Sequence, residues 1–155
     1  MGQLKFFISD NGFVSNEQPF QMMNLRVPIS KYDHLKNEID SLVALKNNWD
    51  GYGATPVVNE IAQSAKQLIP LLASYYVDRV TDVFPNTHGT ITIEWENRKK
   101  EKLSLEIGAN NYSYFVKFNN TNPKFINGEN ILADLKVITS DLGELFRDEI
   151  TKYLL

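Results

Sequence analysis

The chain contains no cysteine and only two histidines. Without cysteine there are no disulfides, no thiolate nucleophiles and no zinc–thiolate centres. That composition suits a reducing compartment, and the expected location is cytoplasmic. His34 and His88 stand far apart with no thiol to join them, so no metal site and no cofactor is expected. No apolar run approaches the roughly 20 residues of a membrane span. The opening MGQLKFFISDNG lacks both an apolar signal core and a small-residue cleavage site. N-myristoylation is excluded as well, because Phe6 stands where that pattern requires Ser or Thr. A basic surplus is missing: 16 Lys and Arg face 19 Asp and Glu, for a net charge of -3. This balance counts against a partner held through its phosphates, so nucleic acid is not an expected ligand. The common nucleotide-binding, serine-hydrolase and zinc-protease signatures do not occur.

What is present is enough for one folded domain. The chain has 155 residues, of which 43% are apolar and 23% charged. These proportions support a single α+β domain over 1–155 with its own core. LKFFIS (Leu4–Ser9) has strand character and is followed by an Asn-Gly turn at Asn11 and Gly12. The segment Glu17–Val27 reads as an edge strand or an ordered loop, because Pro19 and Pro28 interrupt it. Ser30 and Asp33 form a short capping box, and Tyr32, Leu35, Ile39, Leu42 and Val43 follow with helical spacing as far as Lys46. Thr55 and Pro56 are expected to cap and open a second helix, with a buried stripe of Val57, Val58, Ile61, Ala62, Ala65, Leu68 and Ile69 that stops before Pro70. A further turn or short helix is expected at Leu71–Tyr76.

Strict alternation appears next. Ile91, Ile93 and Trp95 share one face, as do Leu103, Leu105 and Ile107, and then Tyr112, Tyr114, Val116 and Phe118. The expectation is a three-stranded antiparallel meander with one buried face. A long closing helix follows, with Ile131, Leu135, Ile138, Leu142, Leu145 and Tyr153 along its seam. Within it, Gly143 either weakens the helix by ~1 kcal/mol relative to Ala or marks a close approach by another element. The expected architecture is an antiparallel β-sheet meander with three helices packed on one face.

The segment LKNNWDGYGATP (Leu45–Pro56) is the least ordinary stretch. Gly51 and Gly53 suit a reversal between two helices. Asp50 can accept turn amides through its carboxylate. Trp49 has two readings: a buried plug whose N–H finds a carbonyl, or, together with Tyr52, an exposed anchor for a partner. Phe115 projects from the polar face of the meander and is a second candidate for partner contact, as Phe7 is if its strand joins the sheet. NRKK (Asn97–Lys100) reads as a soluble hairpin turn.

The segments NWDGYGATP (Asn48–Pro56) and HGTITIEWE (His88–Glu96) together resemble a group of small bacterial proteins. Those proteins carry an Asn-Trp-Asp-Gly-x-Gly-Ala-x-Pro loop and a Gly-x-Ile-x-Ile-Glu-Trp strand, and are associated with mobile elements. The resemblance covers the middle of the chain and implies no activity. His88 stands where those proteins often have Asp.

Two functions follow as expectations. The first is a non-enzymatic protein-binding accessory, of the antitoxin or inhibitor kind, from a bacterial mobile-element or defence locus. Its partner-binding residues would be Trp49, Asp50, Tyr52 and Phe115, and its acidity would mask a basic target. The alternative is a metal-assisted hydrolase using Asp50 with Glu94, Glu96 and Glu106, which requires those carboxylates to converge. His88 completes this constellation as an imidazole that could share acid and base roles with a carboxylate, against the plainer reading of an exposed turn histidine. Glutamates on the wet side of a one-sided sheet, offset by Lys102 and Lys117, need no such role. A homodimer through a sheet edge or the closing helix is a third option.

Overall fold

The structure, a computed structural model, describes residues 28–154. The expected strand at Leu4–Ser9, its Asn-Gly turn, Phe7 and the segment Glu17–Val27 lie outside these residues. Helix α1 spans Lys31–Val43. Its N-cap is Ser30, whose hydroxyl accepts the Asp33 N–H at 3.1 Å and donates to the Asp33 carboxylate at 2.8 Å. The Ser30 cap therefore forms as read, while the Asp33 carboxylate meets the Ser30 hydroxyl rather than the Ser30 backbone N–H of a full capping box. Leu35 and Ile39 are the buried positions of this helix.

Helix α2 spans Asn59–Leu68, so its start differs from the expected one at Thr55 and Pro56. The N-cap is Val58, with extended backbone and no side-chain cap. The reason is tertiary. Thr55 donates its N–H to the Thr87 carbonyl at 2.7 Å and forms a parallel bridge with His88. That pairing holds the chain extended where local propensity would have coiled it. Val57 is buried ahead of the helix and Val58 is exposed, contrary to its assignment to the buried stripe. Past Leu68 a 3₁₀ turn, Ile69–Leu71, accommodates Pro70. Helix α3, Ser74–Val77, follows.

The sheet has five strands rather than three: β1 Val80–Pro85, β2 Ile91–Glu96, β3 Lys102–Ile107, β4 Tyr112–Lys117 and β5 Lys124–Gly128. Their spatial order is their sequence order, and every pairing is antiparallel. Ile93, Leu105 and Tyr114 align across one face, as do Trp95, Leu103 and Val116. These side chains share a core with Leu35 and Ile39 of α1 and with Ile61, Ala62, Ala65 and Leu68 of α2. Trp95 is fully buried, and its indole N–H donates to the Tyr76 carbonyl at 2.8 Å. Burial of each large side chain in this core contributes about 1.5–3 kcal/mol.

The closing helix is two helices, α4 Leu135–Leu145 and α5 Arg147–Leu154, separated at Phe146. No Pro or Gly stands at that break. Phe146 turns into the core and packs edge-on against Tyr75, with ring centroids 6.1 Å apart. The buried amide of Asn97, from the β2–β3 hairpin, donates to the Leu145 carbonyl at 2.7 Å. Ile138, Leu142 and Leu145 are buried as expected. At Gly143 a Cβ would lie 3.4 Å from the Tyr76 hydroxyl, an ordinary van der Waals contact, so no close approach requires glycine there. The Tyr153 side chain lies outside the described ones.

Candidate functional site

The loop between α1 and α2 is closed by its own polar groups. Asn48, Gly51 and Gly53 all have positive φ, at 64°, 81° and 95°. Only glycine takes such values without steric cost, and Asn tolerates them better than most residues. Asn48 donates its N–H to the Ala54 carbonyl at 2.8 Å, and its side-chain oxygen accepts the Gly53 N–H at 2.6 Å. Asp50 Oδ1 accepts the N–H groups of Tyr52 and Ala54, at 2.8 and 3.0 Å. The Tyr52 amide above all holds the Asp50 carboxyl below its ordinary value.

The two aromatics divide the two readings between them. Trp49 is half-buried and donates its indole N–H to the Thr55 carbonyl at 3.1 Å, which clamps the loop. Tyr52 stands at the tip with 94% of its surface exposed. Ala54 and Val57, by contrast, are buried and root the loop in the body of the protein.

The loop is seated on the β1–β2 turn. Besides the Thr55–Thr87 hydrogen bond, Gly89 lies under the Pro56 carbonyl; a Cβ there would approach that oxygen to 3.1 Å, and its φ is 92°. The segments Asn48–Pro56 and His88–Glu96, 40 residues apart at their starts, therefore form one contiguous unit.

From the same turn His88 reaches across the sheet. Its Nε2 lies 2.7 Å from Glu106 Oε1, and Thr90 Oγ1 donates to that same oxygen at 2.6 Å. The Asn86 amide donates to Thr90 Oγ1 and Thr92 Oγ1, at 2.9 and 2.8 Å. Asn86, Thr90 and Thr92 were not singled out from sequence. The alternation of β2 does carry a signal for part of this cluster, because it puts Thr90 and Thr92 on the face of Glu94, and the register sets Thr92 opposite Glu106. The cluster borders a groove of about 530 Å³ whose walls include Asn111, Tyr112, Asn127 and Glu129. Tyr112 is fixed there by donating to Asp134 at 2.7 Å, and desolvation by burial pushes its phenol up to about 12.

The carboxylates proposed for metal-assisted hydrolysis do not meet. Glu94 accepts from Lys102 and Ser104, each at 3.0 Å, and this pairing raises the Lys102 ammonium above its ordinary value. Glu96 pairs with Lys100 at 3.2 Å, Glu106 belongs to the His88 cluster, and Asp50 caps its own loop. Among the described residues no group of three His, Cys, Asp or Glu side chains is arranged to hold a metal ion. Lys117 stands opposite Lys102 in register and has no ion pair among the described residues, so it does not offset Glu94 as expected. In the hairpin Asn97–Lys100, Lys99 pairs with Asp148 of α5 at 2.5 Å. Phe115 is half-buried rather than free, with its ring 5.1 Å from that of Phe125, which is 73% exposed. No helix among the described residues is long and apolar enough to cross a membrane.

No family model matches the chain, and no curated protein or solved structure is significantly similar to it.

Proposed function

We propose that the protein is a non-enzymatic binding partner of another protein, of the antitoxin or inhibitor kind, and that the Asn48–Pro56 loop is its contact surface. The observation that carries this reading is the display of Tyr52. A large aromatic ring stands 94% exposed on a loop whose backbone is fixed by Asn48, Asp50 and the Trp49 clamp. A loop backbone fixed before binding removes the cost of ordering that loop on association, and Tyr is among the residues that dominate interface energetics. Asp50 and Trp49 act as positioning residues for the backbone that carries that ring. The Phe115–Phe125 pair offers a second apolar patch on the outer sheet face. The acidic balance of the chain favours a basic target. The resemblance of the two linked segments to proteins of mobile elements supports the antitoxin or inhibitor reading.

The test is affinity capture by the tagged full chain from a lysate of its own host, run beside the Tyr52→Ala variant. One protein recovered in near-equal amount by the wild type, and reduced at least about 30-fold by Tyr52→Ala, supports the reading. Equal capture by both proteins overturns the role of the loop.

A further inference from the structure

The groove beside His88 carries polar groups of a particular balance. Glu106 and Glu129 supply carboxylates, Asn111 and Asn127 supply amides, and Thr90 and Ser113 supply hydroxyls. Neither lysine nor arginine is among its described lining residues. Its volume of about 530 Å³ lies within the range of small-ligand sites. Glu106 Oε1 is occupied by Thr90 and His88, while Oε2 has no hydrogen bond among the described residues. Glu129 has neither an ion pair nor a side-chain hydrogen bond among them.

Two of the wall side chains are set in advance. A Cβ on Gly128 would fall 2.4 Å from the Tyr112 ring, and one on Gly108 would fall 2.3 Å from the Asn111 side-chain oxygen. Both side chains therefore lie directly against backbone. An anion entering here would meet two carboxylates, with the His88 imidazole against Glu106 as the one basic group among the described lining residues and neither lysine nor arginine. A group rich in N–H donors and bearing positive charge matches what the walls offer, and a planar guanidinium matches a carboxylate flanked by amides best.

Position completes the argument. His88 lines the groove, and its backbone bridges Thr55 in the loop that carries Tyr52. A body seated on the loop borders the groove through that shared residue. Resting on the function proposed above, we propose that the groove receives the guanidinium or ammonium head of a basic side chain on the protein that the Tyr52 loop engages.

Amide chemical shifts of the isotope-labelled full chain test this directly. The probes are acetyl-Gly-Arg-Gly-amide, its neutral citrulline counterpart, and spermidine. The arginine peptide is expected to shift the Gly108, Asn111 and Gly128 amides saturably. Glu106→Gln, which keeps an acceptor for Thr90, weakens that binding about tenfold, as does Glu129→Gln. The citrulline peptide leaves the groove unchanged. No response to arginine, or an equal response to citrulline, overturns the proposal. Spermidine binding tenfold more tightly than the peptide overturns it too, because the groove is then a polyamine site. Tyr52→Ala leaves this titration unaltered while reducing capture at least about 30-fold, so failure here is distinguishable from failure of the loop reading.

Discussion

Asp50 Oδ1 joins Tyr52 N and Ala54 N, at 2.8 and 3.0 Å, and so ties the exposed ring to the buried root of the loop. The Tyr52 amide is the main cause of the lowered Asp50 pKa. Its contribution to stability is therefore present above the unfolded value of about 3.9 and is lost as pH falls through the lower folded value. A carboxyl titration by NMR is expected to give a midpoint below that of a free aspartate, with the Tyr52 and Ala54 amides shifting in step. In Asp50→Ala these two amides lose their exchange protection while the sheet keeps its own.

Gly89 joins the two resembling segments. Its φ is 92°, and a Cβ on it would stand 3.1 Å from the Pro56 oxygen, so backbone conformation and space both oppose a side chain. Gly89→Ala is expected to destabilise the fold by about 1–3 kcal/mol in urea unfolding. Exchange protection at the Thr55 amide, which donates to Thr87, should fall with it.

Asn97 decides where the last helix breaks. Its buried amide donates to the Leu145 carbonyl and to Glu101, and the bond to Glu101 above all holds that carboxyl low. Asn97→Ala leaves the Leu145 carbonyl without this partner and is expected to cost about 1–3 kcal/mol, measured by chemical denaturation.

What the sequence exposes about this fold follows the range of the forces involved. The Ser30 cap and the alternation in β3 and β4 are local patterns that appear where expected, while in β2 Thr92, read as lying on the wet face, is buried. Strand β1 escapes notice because a bulge between Val80 and Asp82 breaks its alternation, and the Thr81 hydroxyl takes the Glu96 N–H there. Strand β5 escapes because it is an edge with Phe125 facing water. The late start of α2 and the break at Phe146 are imposed by Thr87 and Asn97, partners distant in the chain. At the site, Asp50 behaves as its residue type suggests. The His88–Thr90–Glu106 cluster needs strand register to be seen.

Tyr112 supplies a pH test at the alkaline end. Burial, with the Asp134 hydrogen bond second, raises its phenol to about 12. A raised folded value means that its contribution is complete below the unfolded value of about 10 and is lost as pH rises through the folded one. Absorbance titration should show this phenol ionising near the end of the range, and Tyr112→Phe should remove one late-titrating group.

The most direct measurement places a photoreactive benzoylphenylalanine at Tyr52 and, as a control, at the exposed Lys136 of α4. After irradiation in the host cell, position 52 is expected to capture one discrete protein that position 136 does not. No adduct at position 52, or the same adducts at both positions, would contradict the assignment of this loop as the partner-binding surface.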